Sequence, residues 1–161
     1  MGGAIYNSGG TIDLHNVIFK NNYVESKHLA TQSEDLLAQG GAIYNLDGTI
    51  ELENVDFNGN YVDGIFNVNG GAIYNESANI STIKNSRFVN NYVKSENSEA
   101  LGGAIFTFTD LNFVADNGIV EFTGNYVEQA GEKDDNAIYV NNVDATLNFE
   151  LKNNGKVLLF T

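Results

Sequence analysis

The hexapeptide Gly-Gly-Ala-Ile-Tyr-Asn occurs three times in this chain, at residues 2–7, 40–45 and 70–75. A shortened copy, GGAIF, follows at 102–106, and a degraded one, DNAIYV, at 135–140. A second motif, F-x-x-N-Y-V, trails each of the first four copies and begins at Phe19, Phe57, Phe88 and Phe122. From the Ala of the first motif to the Phe of the second is 15, 15, 16 and 18 residues. The stretch after Tyr-Val varies instead, holding 15, 7, 8 and 7 residues. A body of constant length with one variable segment per copy predicts stacked units whose insertions leave from one edge.

Each body reads as short strands. Ile12 and Leu14 alternate with Asp13, and Ile50 and Leu52 alternate with Glu51 and Glu53. The slot before the motif Phe holds Ile18, Asp56, Arg87 and Glu121, a mixture only solvent tolerates, so its neighbours face inward. Asn, Gly and Asp stand between the strands as turn residues. The one stretch with a helical period is 26–38, where Leu29, Leu36 and Leu37 share a side opposite Glu34 and Asp35.

Three strands per repeat of about 30 residues predict an all-β, single-stranded parallel β-helix, or β-solenoid, of about five coils. The coils start near residues 2, 40, 70, 102 and 135, and 1–161 is one domain. Residues 143–161 diverge and are expected to form a partial C-terminal cap. Equivalent residues then stack at about 4.8 Å. Ile5, Ile43, Ile73, Ile105 and Ile138 form an aliphatic ladder. Phe19, Phe57, Phe88 and Phe122 form an aromatic one, and Asn22, Asn60, Asn91 and Asn125 an amide ladder at a turn. A β-sandwich, the competing architecture, has no reason to repeat one hexapeptide.

The string GGAIYNxGGTIxLxNVxFxxN resembles the repeats of polymorphic outer-membrane proteins and autotransporter passenger domains, and is similar to adhesin-like surface proteins. The resemblance covers four copies. It implies a right-handed helix, in line with the general handedness of parallel connections. It also implies an extracellular or cell-surface location, and a role in adhesion or as a stalk, with the export signal and membrane anchor outside this chain.

Composition narrows the function. Eight basic residues against 21 acidic ones give a net charge of −13, which excludes a nucleic-acid partner. There is no Cys, hence no disulfide, thiolate nucleophile or Cys-ligated metal. No apolar run reaches the roughly 18 residues of a membrane span. The only histidines are His15 and His28, too few for a triad or zinc site. The outward acids Asp13, Glu51, Asp56 and Glu121 are the candidates for glycoside hydrolysis, with Asp13 stacked on Glu51 as a pair, against the plainer reading of solvated strand positions. Residues 56–60, DFNGN, start like a calcium loop but lack its Gly and closing Glu, and Glu132, Asp134 and Asp135 read as a solvated acidic loop. No enzyme activity, cofactor or metal is expected.

The expected binding surface combines the long loop after the first Tyr-Val, with Glu25, His28, Glu34 and Asp35, and an outward column of Tyr6, Tyr44 and Tyr74. That column alternates in parity with the inward isoleucines, but parity leaves open whether a loop or turn covers it. A host or neighbouring-cell surface protein or glycan is the expected partner. The alternative is copies of the chain stacked end to end into a filament, with a polysaccharide-active enzyme as the remote third.

Overall fold

The computed structural model describes residues 2–27, 37–77, 79 and 81–160. All the regular structure among them is strand. The helical period at 26–38 falls largely outside the described residues. Five sheets run along one axis, and each turn of the chain adds a parallel strand to every sheet it passes. The first sheet stacks Ile5–Ser8, Ile43–Leu46, Ile73–Glu76, Ile105–Thr107 and Ile138–Val140. The second stacks Thr11–His15, Thr49–Glu53, Ser81–Lys84, Leu111–Asp116 and Leu147–Lys152. The third stacks Ile18–Lys20, Asp56–Asn58, Arg87–Val89, Ile119–Thr123 and Lys156–Phe160. This is a β-solenoid of four complete turns, with an incomplete fifth rung.

The sequence pattern implied three strands per turn, and the structure has more. Tyr-Val opens a fourth strand in each of four rungs, at Tyr23–Ser26, Tyr61–Gly64, Tyr92–Ser95 and Tyr126–Gln129. A fifth, two residues long, precedes the Gly pair at Ala38–Gln39, Val68–Asn69 and Ala100–Leu101. The reason is local. In F-x-x-N the residue before the Asn sits at a sharp corner with φ between 55° and 64°, and it is Asn21, Gly59, Asn90 or Gly124, the types that accept the left-handed region. The chain turns there and resumes as strand. Asn16, Asn54, Asn85 and Asn117 make the preceding corner in the same way, with φ of 48° to 57°.

The Gly pair pinches the coil. A methyl group on Gly41 would collide with the Gly71 carbonyl and lie 2.5 Å from the Tyr61 carbonyl oxygen, and Gly71 stands likewise against Gly103 and Tyr92. Two passes of backbone therefore touch at this waist and divide the cross-section into two lobes. The large lobe holds the isoleucine and phenylalanine columns, with Phe57, Phe88, Phe113 and Phe122 fully buried. Successive motif phenylalanines stack at 4.8–4.9 Å with planes 3–6° apart, an offset geometry worth about 0.5–1.5 kcal/mol per pair beyond area burial. The small lobe has room only for Val and Ala: Val62, Val93 and Val127 from the fourth sheet meet Ala38, Val68 and Ala100 from the fifth.

Asn22, Asn60, Asn91 and Asn125 stand in one column beside the waist. Asn60 Nδ2 donates to Asn91 Oδ1 at 3.0 Å and to the Phe19 carbonyl at 3.0 Å, and Asn91 repeats the pattern with Asn125 and Phe57. Asn7, Asn45, Asn75 and Thr107 form a second polar ladder, linked at 2.7, 2.7 and 3.1 Å. These amides close hydrogen bonds that burial would otherwise leave open. Residues 147–152 and 156–160 continue the second and third sheets in register, with Phe149 stacked 4.9 Å from Phe113. The fourth sheet stops instead: Glu132–Asp134 returns antiparallel on Tyr126–Gln129 and gives that sheet a charged last strand.

Candidate binding face

On the fourth sheet the alternation is fixed by the small lobe. Val62 and Gly64 point in, so Tyr61 and Asp63 point out. Register then places Tyr23, Tyr61, Tyr92 and Tyr126 in one outward column and Glu25, Asp63, Lys94 and Glu128 in the next. The four tyrosine rings stack at 5.2, 4.9 and 5.0 Å with planes 3–7° apart. Tyr23, at the end of the column, is 54% exposed, and the other three are half-buried. Lys133 places its Nζ 4.2 Å from the Tyr126 ring centroid, on the antiparallel strand.

The charges beside the rings are paired. Lys27 Nζ lies 3.1 Å from Asp63 and 4.0 Å from Glu25, and Lys94 Nζ lies 2.7 Å from Glu128. Hydrogen bonds to Asp63 and to Glu128 raise the Lys27 and Lys94 ammonium pKa values. Partial burial, then the neighbouring Tyr126 and Tyr61, push the Tyr92 phenol up to about 12. Tyr61 is also raised, by burial first and then by Glu25, to which its hydroxyl donates at 3.4 Å. These phenols stay protonated, and act as donors, at neutral pH.

The tyrosine column expected as the binding surface is placed differently. Tyr6, Tyr44, Tyr74, Phe106 and Tyr139 do stack on the outer face of the first sheet. Tyr44 and Tyr74 are nevertheless buried, at 9% and 4% exposure, and Tyr6 alone, at the open end, is 51% exposed. The bend at the Gly pair is re-entrant. Outward residues on its two sides fall together, and Leu101 and Phe108 pack on the rings. Burial and the Glu76 carboxylate, which accepts from the Tyr74 hydroxyl at 3.0 Å, push the Tyr74 phenol far above its usual range. Of the expected loop residues, Glu25 is exposed beside the Tyr23–Tyr126 column. His28, Glu34 and Asp35 lie outside the described residues.

The acidic candidates resolve into surface pairs. Asp13 and Glu51 are register partners, but Asp13 holds His15 Nε2 at 2.9 Å, and the same imidazole meets Glu53 through Nδ1 at 3.2 Å. Glu53 also binds Lys84 at 2.9 Å, and Arg87 binds Glu121 at 2.7 Å. In DFNGN, Gly59 makes the corner and Asn60 joins the buried ladder. Among the described residues no group of three or more His, Asp or Glu is placed to hold a metal ion.

The exposed tyrosine column carries a signal in the sequence that the expected surface did not use. It is the Val that follows each of these Tyr residues: a Val that must face in turns its neighbour out.

A stacked parallel scaffold with laddered side chains and a lateral aromatic stripe defines a solenoid repeat protein, one that presents faces rather than an enclosed pocket. Residues 16–46 and 54–76 match the family model of the Chlamydia polymorphic membrane protein repeat. Over those residues the chain is similar to that repeat, and the described residues as a whole form a β-solenoid. No curated protein and no solved structure matches it. Among the described residues no helix is long and apolar enough to cross a membrane.

Proposed function

We propose that this chain is a non-catalytic segment of a cell-surface adhesin, a stalk or passenger that holds a binding face away from the cell. The observation that carries the reading is the match of residues 16–46 and 54–76 to a polymorphic membrane protein repeat on a scaffold of stacked ladders. Ladders give length and rigidity at little cost in sequence, since each rung is stabilised by its neighbours. The partner is a surface protein or glycan of a host or neighbouring cell. Antibodies raised against the purified chain test the location. Labelling of intact source cells that is lost on surface proteolysis is expected. Labelling seen only after permeabilisation would overturn the proposal.

A second reading rests on the last rung. Phe149, Leu151, Leu159 and Phe160 are 43–63% exposed there, and Phe149, Leu159 and Phe160 border an apolar depression of about 320 Å³. Such a face accepts another rung, and a second copy of the chain is one source of it. Light scattering of the 161-residue chain over a wide concentration range tests this. Growth in mass that Leu159→Asp abolishes supports end-to-end stacking, and a constant monomer mass removes it.

A further inference from the structure

We propose that the Tyr23–Tyr61–Tyr92–Tyr126 stripe binds an extended, uncharged β-1,4-linked polysaccharide lying along the solenoid axis, one sugar per rung. The inference rests on the surface-binding reading above and names the ligand class for that face.

Three features of the stripe carry it. The first is spacing. The rings repeat at 5.2, 4.9 and 5.0 Å, close to the advance per sugar of a fully extended β-1,4-linked pyranose chain. A ligand with that advance sets one sugar beside each tyrosine, alternate sugars turned over, and accumulates contacts rung by rung, as tandem sites do when their geometries agree. The second is chemistry. Because the rings stack on one another, their faces are covered and the stripe offers ring edges and hydroxyls. The Tyr61 hydroxyl donates to Glu25, and those of Tyr23, Tyr92 and Tyr126 make no hydrogen bond to protein among the described residues. Free phenol donors beside carboxylate acceptors suit a ligand that carries hydroxyls at every step.

The third is charge. The chain carries −13 overall and has only eight basic residues. Three of the eight, Lys27, Lys94 and Lys133, stand on this stripe against Glu25, Asp63 and Glu128. With Glu96 near Lys27 and Glu132 and Asp134 flanking Lys133, the stripe is still less acidic than the rest of the molecule. A neutral polymer meets no repulsion there, whereas a polyanion is repelled by the rest of the surface and a polycation finds better sites elsewhere.

Calorimetric titration of the purified chain with cello-oligosaccharides, from disaccharide to hexasaccharide, tests the inference. Affinity is expected to climb up to the tetrasaccharide and then level off, because the ladder has four rings. The double variant Tyr92→Phe, Tyr126→Phe keeps the stacked rings and removes two free donors. It is expected to bind about tenfold more weakly with an unchanged urea midpoint. Oligosaccharides joined β-1,3, whose chains curve out of step with the ladder, are expected to bind at least about tenfold more weakly than β-1,4 chains of equal length. Absence of β-1,4 binding, affinity independent of length, equal affinity for the β-1,3 series, or full affinity in the double variant overturns it. Tyrosine-dependent lateral association of the chain with itself, in place of sugar binding, does so as well. None of these outcomes bears on labelling of intact cells, so the location and the ligand fail separately.

Discussion

Replacement of Asn91 by Ala measures what the buried amide ladder contributes. The Asn91 side chain is fully buried and makes four hydrogen bonds. Its Oδ1 accepts from the Asn60 backbone N–H at 2.9 Å and from Asn60 Nδ2 at 3.0 Å. Its Nδ2 donates to the Phe57 carbonyl and to Asn125 Oδ1, each at 3.0 Å. In Asn91→Ala, Asn60 Nδ2 keeps the Phe19 carbonyl, and Asn125 Oδ1 keeps the Asn91 backbone N–H. The Asn60 backbone N–H loses the acceptor it has. One stranded buried donor costs about 1–3 kcal/mol, and with the other lost bonds and the small void the total is about 4 kcal/mol. Asn22→Ala is the internal control. Asn22 is half-buried, ends the column, and its side chain makes one bond, to Asn60 Oδ1, so its loss costs about 1 kcal/mol. With a slope of about 2 kcal/mol per molar urea, the midpoint falls by about 2 M for Asn91→Ala and by about 0.5 M for Asn22→Ala. Asn91→Asp is expected to be worse than Ala at neutral pH, because a carboxylate turns acceptors toward the Phe57 carbonyl and Asn125 Oδ1. Part of that excess is recovered on acidification. Equal midpoints for Asn91→Ala and Asn22→Ala would refute the claim that the ladder satisfies buried donors.

Three further outcomes are expected. Gly71→Ala, driven into the carbonyls of Gly103 and Tyr92, should destabilise by at least about 3 kcal/mol in urea, whereas Gly9→Ala meets no neighbour and costs only the strain of φ +80°, about 1 kcal/mol. Tyr74→Ala empties a buried position and should cost about 3–5 kcal/mol, against under about 1 kcal/mol for the exposed Tyr6→Ala, read from the same denaturation curves. Glu53, Glu121 and Asp116 have lowered pKa values, through Lys84, Arg87 and Asn153 respectively. Their contribution is therefore present above the ordinary carboxylate range and is lost as pH falls through the lowered values. The urea midpoint should drop below about pH 4, and Glu121→Gln should make that drop shallower.

The repetition made the solenoid legible, because identical residues at near-constant spacing have a physical purpose only if they stack. The ladders at Ile43, Phe57 and Asn60 followed from that one inference. The number of strands per turn did not. Whether Asn-Tyr-Val continues a turn or begins a strand depends on the residue before the Asn taking a left-handed corner. The alternation Asn21, Gly59, Asn90, Gly124 records this only for a reader who asks which residue types tolerate positive φ. The long segment that follows Val24 carries no repeat, and hence no register from which a conformation follows.

The tyrosines show why parity was insufficient. Alternation says which side of a strand a residue occupies, and Tyr44 does lie opposite Ile43 on its strand. Exposure depends also on the shape of the whole turn, and that shape is set at the Gly pair. Gly41 lets the backbone touch Tyr61 across the coil, which creates the waist, and the waist has two consequences. On its outer side it makes a crevice that covers Tyr44 and Tyr74. On the far side it closes a lobe so narrow that Val62, Val93 and Val127 fill it, which turns Tyr61, Tyr92 and Tyr126 out to solvent. A single contact between two backbones thus buries one aromatic ladder and leaves the edges of the other at the surface. The side chain absent from Gly41 therefore decides which tyrosines can meet a partner.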